Sequence, residues 1–227
     1  MKPLEHFWDS PAEGAGHFPQ RFATFFAGLA RLFARLLFRF RAYGRSSELL
    51  ATQKNYIICG NHHSYLDPVF AIIAVRPRPL RFLAKQEFFT NPAIARLASW
   101  EGAFPIRRGV ADTRAIRRAA AMLRRGELVG IFPEGTRGRE GNPSQAHEGI
   151  ALIAAMARAD VLPVRLWGTE KISPPGSRRW HFPRVTLAFG EPLSLDDPRY
   201  QGLQKSERYQ RFARDCMDAV YSIEPPR

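Results

Sequence analysis

The chain is expected to fold as one α/β domain, a mostly parallel central sheet flanked by helices and preceded by an amphipathic N-terminal helix. Three features lead there. Its 227 residues, 45% of them hydrophobic, suffice for a buried core and match a folding composition rather than a disordered one. From Tyr43-Gly44 onward, short apolar runs alternate with segments of helical periodicity, as in sheets whose parallel strands are joined by helices. Ahead of them lies one long stretch of helical spacing, from Phe22 to Phe40.

In chain order, residues 1–19 read as a loose arm, since they contain acids and lack the apolar core of a secretory signal. Residues 20–43 carry the amphipathic helix. Phe22, Phe25, Phe26, Leu29, Leu32, Phe33, Leu36, Leu37 and Phe40 fall on one broad stripe. Arg31, Arg35 and Arg39 recur every four residues on the opposite side, and Phe38 is the one large apolar residue outside the stripe. Such a helix either packs its stripe on its own domain or lays it among acyl chains with its arginines near lipid phosphates. The abundance of Phe favours the second reading, at a membrane interface. A conventional transmembrane helix is not expected, because no run of about 20 uninterrupted apolar residues is present.

Residues 44–227 form the domain itself. Strands are expected at Asn55 to Gly60, Leu80 to Lys85, Ala103 to Arg107, Leu128 to Pro133, Val161 to Trp167 and Val185 to Phe189. Helices are expected at Pro68 to Val75, Asn91 to Trp100, Asp112 to Arg125, Glu148 to Arg158 and Lys205 to Ile223. The proline-rich, basic stretch Lys171 to Arg184 reads as an exposed loop. In Val161-Leu162-Pro163-Val164, the proline inside a strand points to an edge or a bulge.

Charge narrows the partners. The 34 Lys and Arg against 21 Asp and Glu leave a formal net charge of +13, which draws the chain to something anionic. A lipid surface, an acidic carrier protein, a phosphorylated substrate and nucleic acid all qualify. The basic residues are dispersed, and no helix-turn-helix or RNA-binding signature stands out, so nucleic acid is not the expected partner. Cys59 and Cys216, the two cysteines, have no zinc or redox spacing and form no disulfide framework, which fits a reducing compartment.

Two segments carry chemistry. Gly60-Asn61-His62-His63-Ser64-Tyr65-Leu66-Asp67-Pro68 follows an apolar strand, where sites in parallel sheets gather. A His followed five residues later by Asp suits a base and the carboxylate that fixes its tautomer. Asp67 before Pro68 is equally a helix N-cap, and His62 beside His63 could instead ligate a metal, although no further group shows ligand spacing. The second segment, Phe132-Pro133-Glu134-Gly135-Thr136-Arg137-Gly138-Arg139, also follows a strand. Glycine allows close backbone approach to an anion, Thr136 can donate to it, and Arg137 offers a bidentate grip. It lacks the P-loop order. Between the two lies Gly102-Ala103-Phe104-Pro105-Ile106-Arg107-Arg108, a strand end that adds charge.

Together these blocks resemble the 1-acylglycerol-3-phosphate acyltransferase family of the glycerolipid acyltransferase superfamily. His62 and Asp67 match its Asn-His-x4-Asp block, with Asn61 and Ser64 fitting around them. Gly102, Phe104, Ile106 and Arg108 match the second block, Phe132 to Arg137 the third, and Val161 to Val164 the fourth, with Lys85 fitting the segment between the first two. The resemblance spans about Asn55 to Phe189 and identifies residues 44–227 as an acyltransferase domain. It implies His62 as general base oriented by Asp67, and an acceptor site drawn from Asn61, Ser64, Lys85, Arg108, Glu134, Gly135, Thr136 and Arg137. It further implies a lysophospholipid acceptor, acyl-CoA or acyl carrier protein as thioester co-substrate, no cofactor or metal, and work at the cytoplasmic face of a membrane. One departure stands out. Where the family commonly has Phe-Lys-x-Gly, the chain reads Ala146-His147-Glu148-Gly149, so an acceptor other than lysophosphatidate, such as a lyso-amino-lipid, stays open. A rival chemistry, with Ser64 or Cys59 as nucleophile, is disfavoured because no Gly-x-Ser-x-Gly elbow exists and Cys59 falls in a strand expected to be buried.

Overall fold

The computed structural model describes residues 8–9, 20–44, 51–52, 54–75, 78–100, 102–107, 112–133, 149–174 and 179–226. Helix α1 spans Gln20–Phe38 and leads into strand β1, Arg41–Tyr43. There follow β2 (Tyr56–Gly60), α2 (Asp67–Val75), β3 (Leu80–Lys85), α3 (Pro92–Trp100), β4 (Ala103–Ile106), α4 (Thr113–Arg124) and β5 (Leu128–Ile131). The remainder is α5 (Gly149–Ala157), β6 (Asp160–Trp167), β7 (Thr186–Phe189) and α6 (Lys205–Ser222). The strands form one seven-stranded sheet in the order β1-β7-β6-β2-β5-β3-β4. All neighbours run parallel except β6 and β7.

Strand alternation divides the apolar residues between two cores. On β2, Ile57 and Cys59 enter one core with α4, α5 and α6, while Tyr56 and Ile58 enter the other with α1 and α2. The helices therefore lie on both faces. All of β2 is buried, and its end carries the chain straight to the His-containing segment.

Two expectations need correction. The arm expected to be loose is anchored at Trp8 and Asp9: Trp8 is buried, donates from its indole to Ser99 Oγ at 2.9 Å and meets Phe89 edge-on, and Asp9 pairs with Arg118 at 2.6 Å. The helix expected to reach residue 43 closes at Phe38: Arg39 takes the left-handed conformation (φ 48°), and the Phe40 amide donates back to the Ala34 carbonyl at 3.0 Å. The next residues form the edge strand β1, too short and too polar to leave a periodic signal. Pro163 lies in an interior strand, and of the edge and the bulge expected for it the structure has the bulge: between the Val161–Leu193 bridge and the Val164–Phe189 pair, residues 162–163 face residues 190–192.

From Leu29 to Leu37 the apolar stripe of α1 does not pack on the domain. Leu29, Leu32, Phe33, Leu36 and Leu37 are exposed, Leu36 by 67%, whereas Ala34 and the off-stripe Phe38 are buried. Phe38 meets Phe70 edge-on and Phe182 at a tilt, both at 5.3 Å, and Phe40, at the stripe's end, is buried against Phe70 at 5.0 Å. Among the described residues, no helix is long and apolar enough to cross a membrane.

Candidate active site

Beyond β2 the chain is steered by Asn61. Its buried carboxamide donates to the Leu166 carbonyl at 2.9 Å and accepts from the Leu166 amide at 2.8 Å. Both polar ends are thus spent on β6, and Asn61 contributes as a brace that fixes the exit from the sheet. His62 follows immediately, with its side chain 16% exposed.

Asp67 opens α2 and is fully buried. Its Oδ2 accepts from the amides of His63 and Ser64, both at 2.7 Å, and lies 3.0 Å from His62 Nδ1. The capping expectation needs correction: the amides Asp67 holds precede it, it is itself the first residue of α2, and the Phe70 amide donates to the Leu66 carbonyl at 3.0 Å, so its contacts fit the partner of His62 and not an N-cap. An acceptor-only carboxylate on Nδ1 requires the proton there, which leaves the Nε2 lone pair free. Asp67 Oδ1 is buried with no hydrogen-bond partner among the described residues.

The other face of the imidazole is held by an aromatic column. His62 stacks on Phe132 at 4.7 Å with the planes 19° apart, and Phe132 stacks on Phe82 at 5.5 Å and 2°. Phe82 in turn needs Gly130 on β5, where a β-carbon would stand 2.2 Å from the Phe82 ring. Phe132 appeared in the sequence only as the first residue of a motif block. Its role could not be read there, because it depends on β2, β5 and β3 lying side by side.

The remaining predicted residues divide. Ser64 is buried, and its Oγ accepts from the Leu66 amide at 3.3 Å, so its hydroxyl also serves the turn. Lys85 is the half-buried last residue of β3, at the sheet edge where β2 and β5 also end. Arg108, Glu134, Gly135, Thr136, Arg137 and the Ala146-His147-Glu148 departure lie outside the described residues. Of the rival nucleophiles, Cys59 is fully buried within β2. No three His, Cys, Asp or Glu side chains among the described residues are grouped as a metal site requires.

An α/β sheet that carries a His–Asp pair and a stacked imidazole beyond the C-terminal end of β2 marks the candidate active site of the domain. The family follows from comparison: the Acyltransferase family model matches residues 42–167, and the chain belongs to that family. It is 30% identical over 177 residues to the 1-acyl-sn-glycerol-3-phosphate acyltransferase of Streptococcus pneumoniae, covering 78% of this chain and 64% of that protein. It is 36% identical over 140 residues to the lyso-ornithine lipid O-acyltransferase of Pseudomonas aeruginosa, covering 61% of this chain and 51% of that one. Less than two thirds of either relative's length is therefore spanned. The fold is shared with the crystal structure of the 1-acyl-sn-glycerophosphate acyltransferase PlsC of Thermotoga maritima, with a TM-score of 0.63 and 23% identity over 91% of this chain and 84% of that one.

Proposed function

We propose that the chain moves a fatty acyl group from an acyl thioester, acyl-CoA or acyl carrier protein, to the free hydroxyl of a lysophospholipid, with 1-acylglycerol-3-phosphate as acceptor and phosphatidate as product. The observation that carries this reading is the His62 Nδ1–Asp67 Oδ2 contact of 3.0 Å at the sheet edge. His62 Nε2 takes the hydroxyl proton as the oxygen attacks the thioester carbonyl; the carbon–sulfur bond breaks, and the thiolate recovers the proton from the imidazolium. Asp67 holds the ring and its charge throughout. No acyl-enzyme is needed, and the buried Cys59 leaves that route without an accessible thiol.

Arg108, Glu134, Gly135, Thr136 and Arg137 would supply the head-group site, as the family resemblance implies, with Lys85 beside it. The exposed apolar stripe of α1 supports placing the protein on a membrane, at its cytoplasmic face, since an unpacked Phe/Leu surface suits an acyl-chain layer better than water. A second acceptor class, a lyso-amino-lipid, is favoured by the 36% identity to the lyso-ornithine enzyme together with the missing family lysine.

One assay tests the whole reading. Purified protein is offered labelled acyl-CoA and acyl carrier protein with lysophosphatidate, lyso-ornithine lipid and neutral lysolipids, and products are identified by mass. Phosphatidate formation that disappears in His62→Ala is the expected result. Undiminished transfer by His62→Ala removes the mechanism, and product from lyso-ornithine lipid alone selects the second acceptor.

A further inference from the structure

A groove of about 570 Å³ lies between α1, β1 and α2, away from the His–Asp pair. Arg31, Arg35, Arg39 and Arg41 line it with Tyr43, and Ile73 and Ala74 form its apolar wall. Ile73 is six residues beyond Asp67 on α2, roughly 9 Å along the helix axis, and neither His62 nor Asp67 lines the groove. No carboxylate lines it, and none of the four arginines forms an ion pair among the described residues.

The backbone is arranged to keep these charges together. Arg39 occupies the left-handed helix-ending position that glycine or asparagine fills with least strain. Arg31 is held by the Ile73 carbonyl at 3.4 Å, and Arg41 is fixed by the pairing of β1 with β7. Tyr43 registers only its nearest guanidiniums: a hydrogen bond from Arg41, opposed by burial and helped by Arg184 outside the groove, holds its phenol below the ordinary value.

The geometry points to a binding site for the phosphate of an anionic phospholipid, formed by Arg31, Arg35, Arg39 and Arg41. Several guanidiniums around one open groove suit a phosphate oxygen set, which they can grip with paired hydrogen bonds. A lipid is favoured over a free anion because Leu32 and Leu36, one residue after Arg31 and Arg35 and so about 100° round the helix, are exposed and lead into the apolar stripe. A head group in the groove then has its acyl chains beside that apolar surface. This inference rests on the membrane reading above and names the lipid chemistry the helix would select.

The test is flotation of the full chain with phosphatidylcholine vesicles, with and without phosphatidylglycerol. Wild type is compared with Arg35→Gln/Arg41→Gln and with Arg211→Gln/Arg214→Gln, which removes equal charge from exposed positions on α6, across the sheet. Wild type should prefer the anionic vesicles. The groove pair should lose about twenty-five-fold in affinity for them, from roughly fivefold per arginine, and bind neutral vesicles as before. The α6 pair should keep the preference.

Equal loss in both pairs assigns the attraction to overall charge and overturns the site, as does no loss in the groove pair. Binding of inorganic phosphate or of duplex DNA that weakens in the groove pair while the preference for anionic vesicles is kept assigns the groove to a free anion or to nucleic acid and overturns the lipid. Wild type binding both vesicles equally sinks the groove and leaves the helix at the membrane, whereas binding to neither removes both. Should the groove pair fail to fold by circular dichroism, Arg35→Gln on the exposed helix surface carries the same comparison at about fivefold.

Discussion

The His62 imidazole lies nearly parallel to the Phe132 ring, 4.7 Å away, while its edge meets Asp67 at 3.0 Å. The carboxylate sets the tautomer and one axis of the ring, and the aromatic face sets its plane. Neither contact alone fixes the direction in which Nε2 presents its lone pair. A flat π face is also a favourable neighbour for the imidazolium formed during transfer.

Phe132→Leu keeps an apolar side chain and removes the flat face. Turnover should fall about tenfold with the acceptor KM little changed, in line with the ~0.5–1.5 kcal/mol carried by aromatic pairs. Phe132→Tyr should retain most activity. Steady-state kinetics read alongside thermal melts separate this from packing; a lowered Tm with unchanged kcat would make Phe132 an ordinary core residue.

Asp67→Asn keeps a carbonyl oxygen for the His63 and Ser64 amides, and with it the acceptor for Nδ1, but removes the negative charge that steadies the imidazolium. Transfer should fall by about 10²–10⁴. The measurement is kcat over a pH series with circular dichroism as the fold control. A loss under tenfold would remove Asp67 from the reaction.

Gly130→Ala drives a methyl into Phe82 and, through it, into the column under His62. Overpacking of this kind costs about 1–3 kcal/mol. Adding Phe82→Leu should restore part of the stability without restoring activity. Equilibrium urea unfolding of the single and double variants checks the pairing, and a neutral single variant would disprove the contact.

Asp112 caps α4, accepting from the amides of Ala115 at 3.1 Å and Arg107 at 2.9 Å. Burial pushes its carboxyl up, but these hydrogen bonds and the Arg107 charge outweigh it and leave the group below its ordinary 3.8. Its contribution is therefore complete above the unfolded-state value and is lost as pH falls through the depressed folded value. Asp112→Ala should cost about 1 kcal/mol at neutral pH. The stability gap to wild type should narrow as the solution is acidified below 3.8, and a constant gap would contradict the cap's charge.

Much of this was legible because local rules and tertiary structure agree. The fully buried β2 announces itself as an apolar run, and a His–Asp spacing at its end is a sequence property. What could not be read depends on contacts between distant segments. Phe132 gains its role only through Gly130 and Phe82 on neighbouring strands. Asn61 looked available to substrate until Leu166, on β6, was found holding both ends of its amide. The orientation of α1 was decided by Phe38, the residue that broke its periodicity. Glu134 to Arg137 of the third block and Arg108 were visible as motifs, and their geometry lies outside the described residues.

The three-residue strand β1 has a practical consequence for anyone wishing to work with a shortened, water-tolerant version of the protein. It shields the free side of β7, so a truncation at residue 43 strips both the greasy helix and the guard on an open sheet edge. The trimmed chain would exchange affinity for lipid for affinity for its own copies. A cut that spares Ala34 through Tyr43 keeps that guard, although it also takes Trp8 from its place against Ser99 and Phe89.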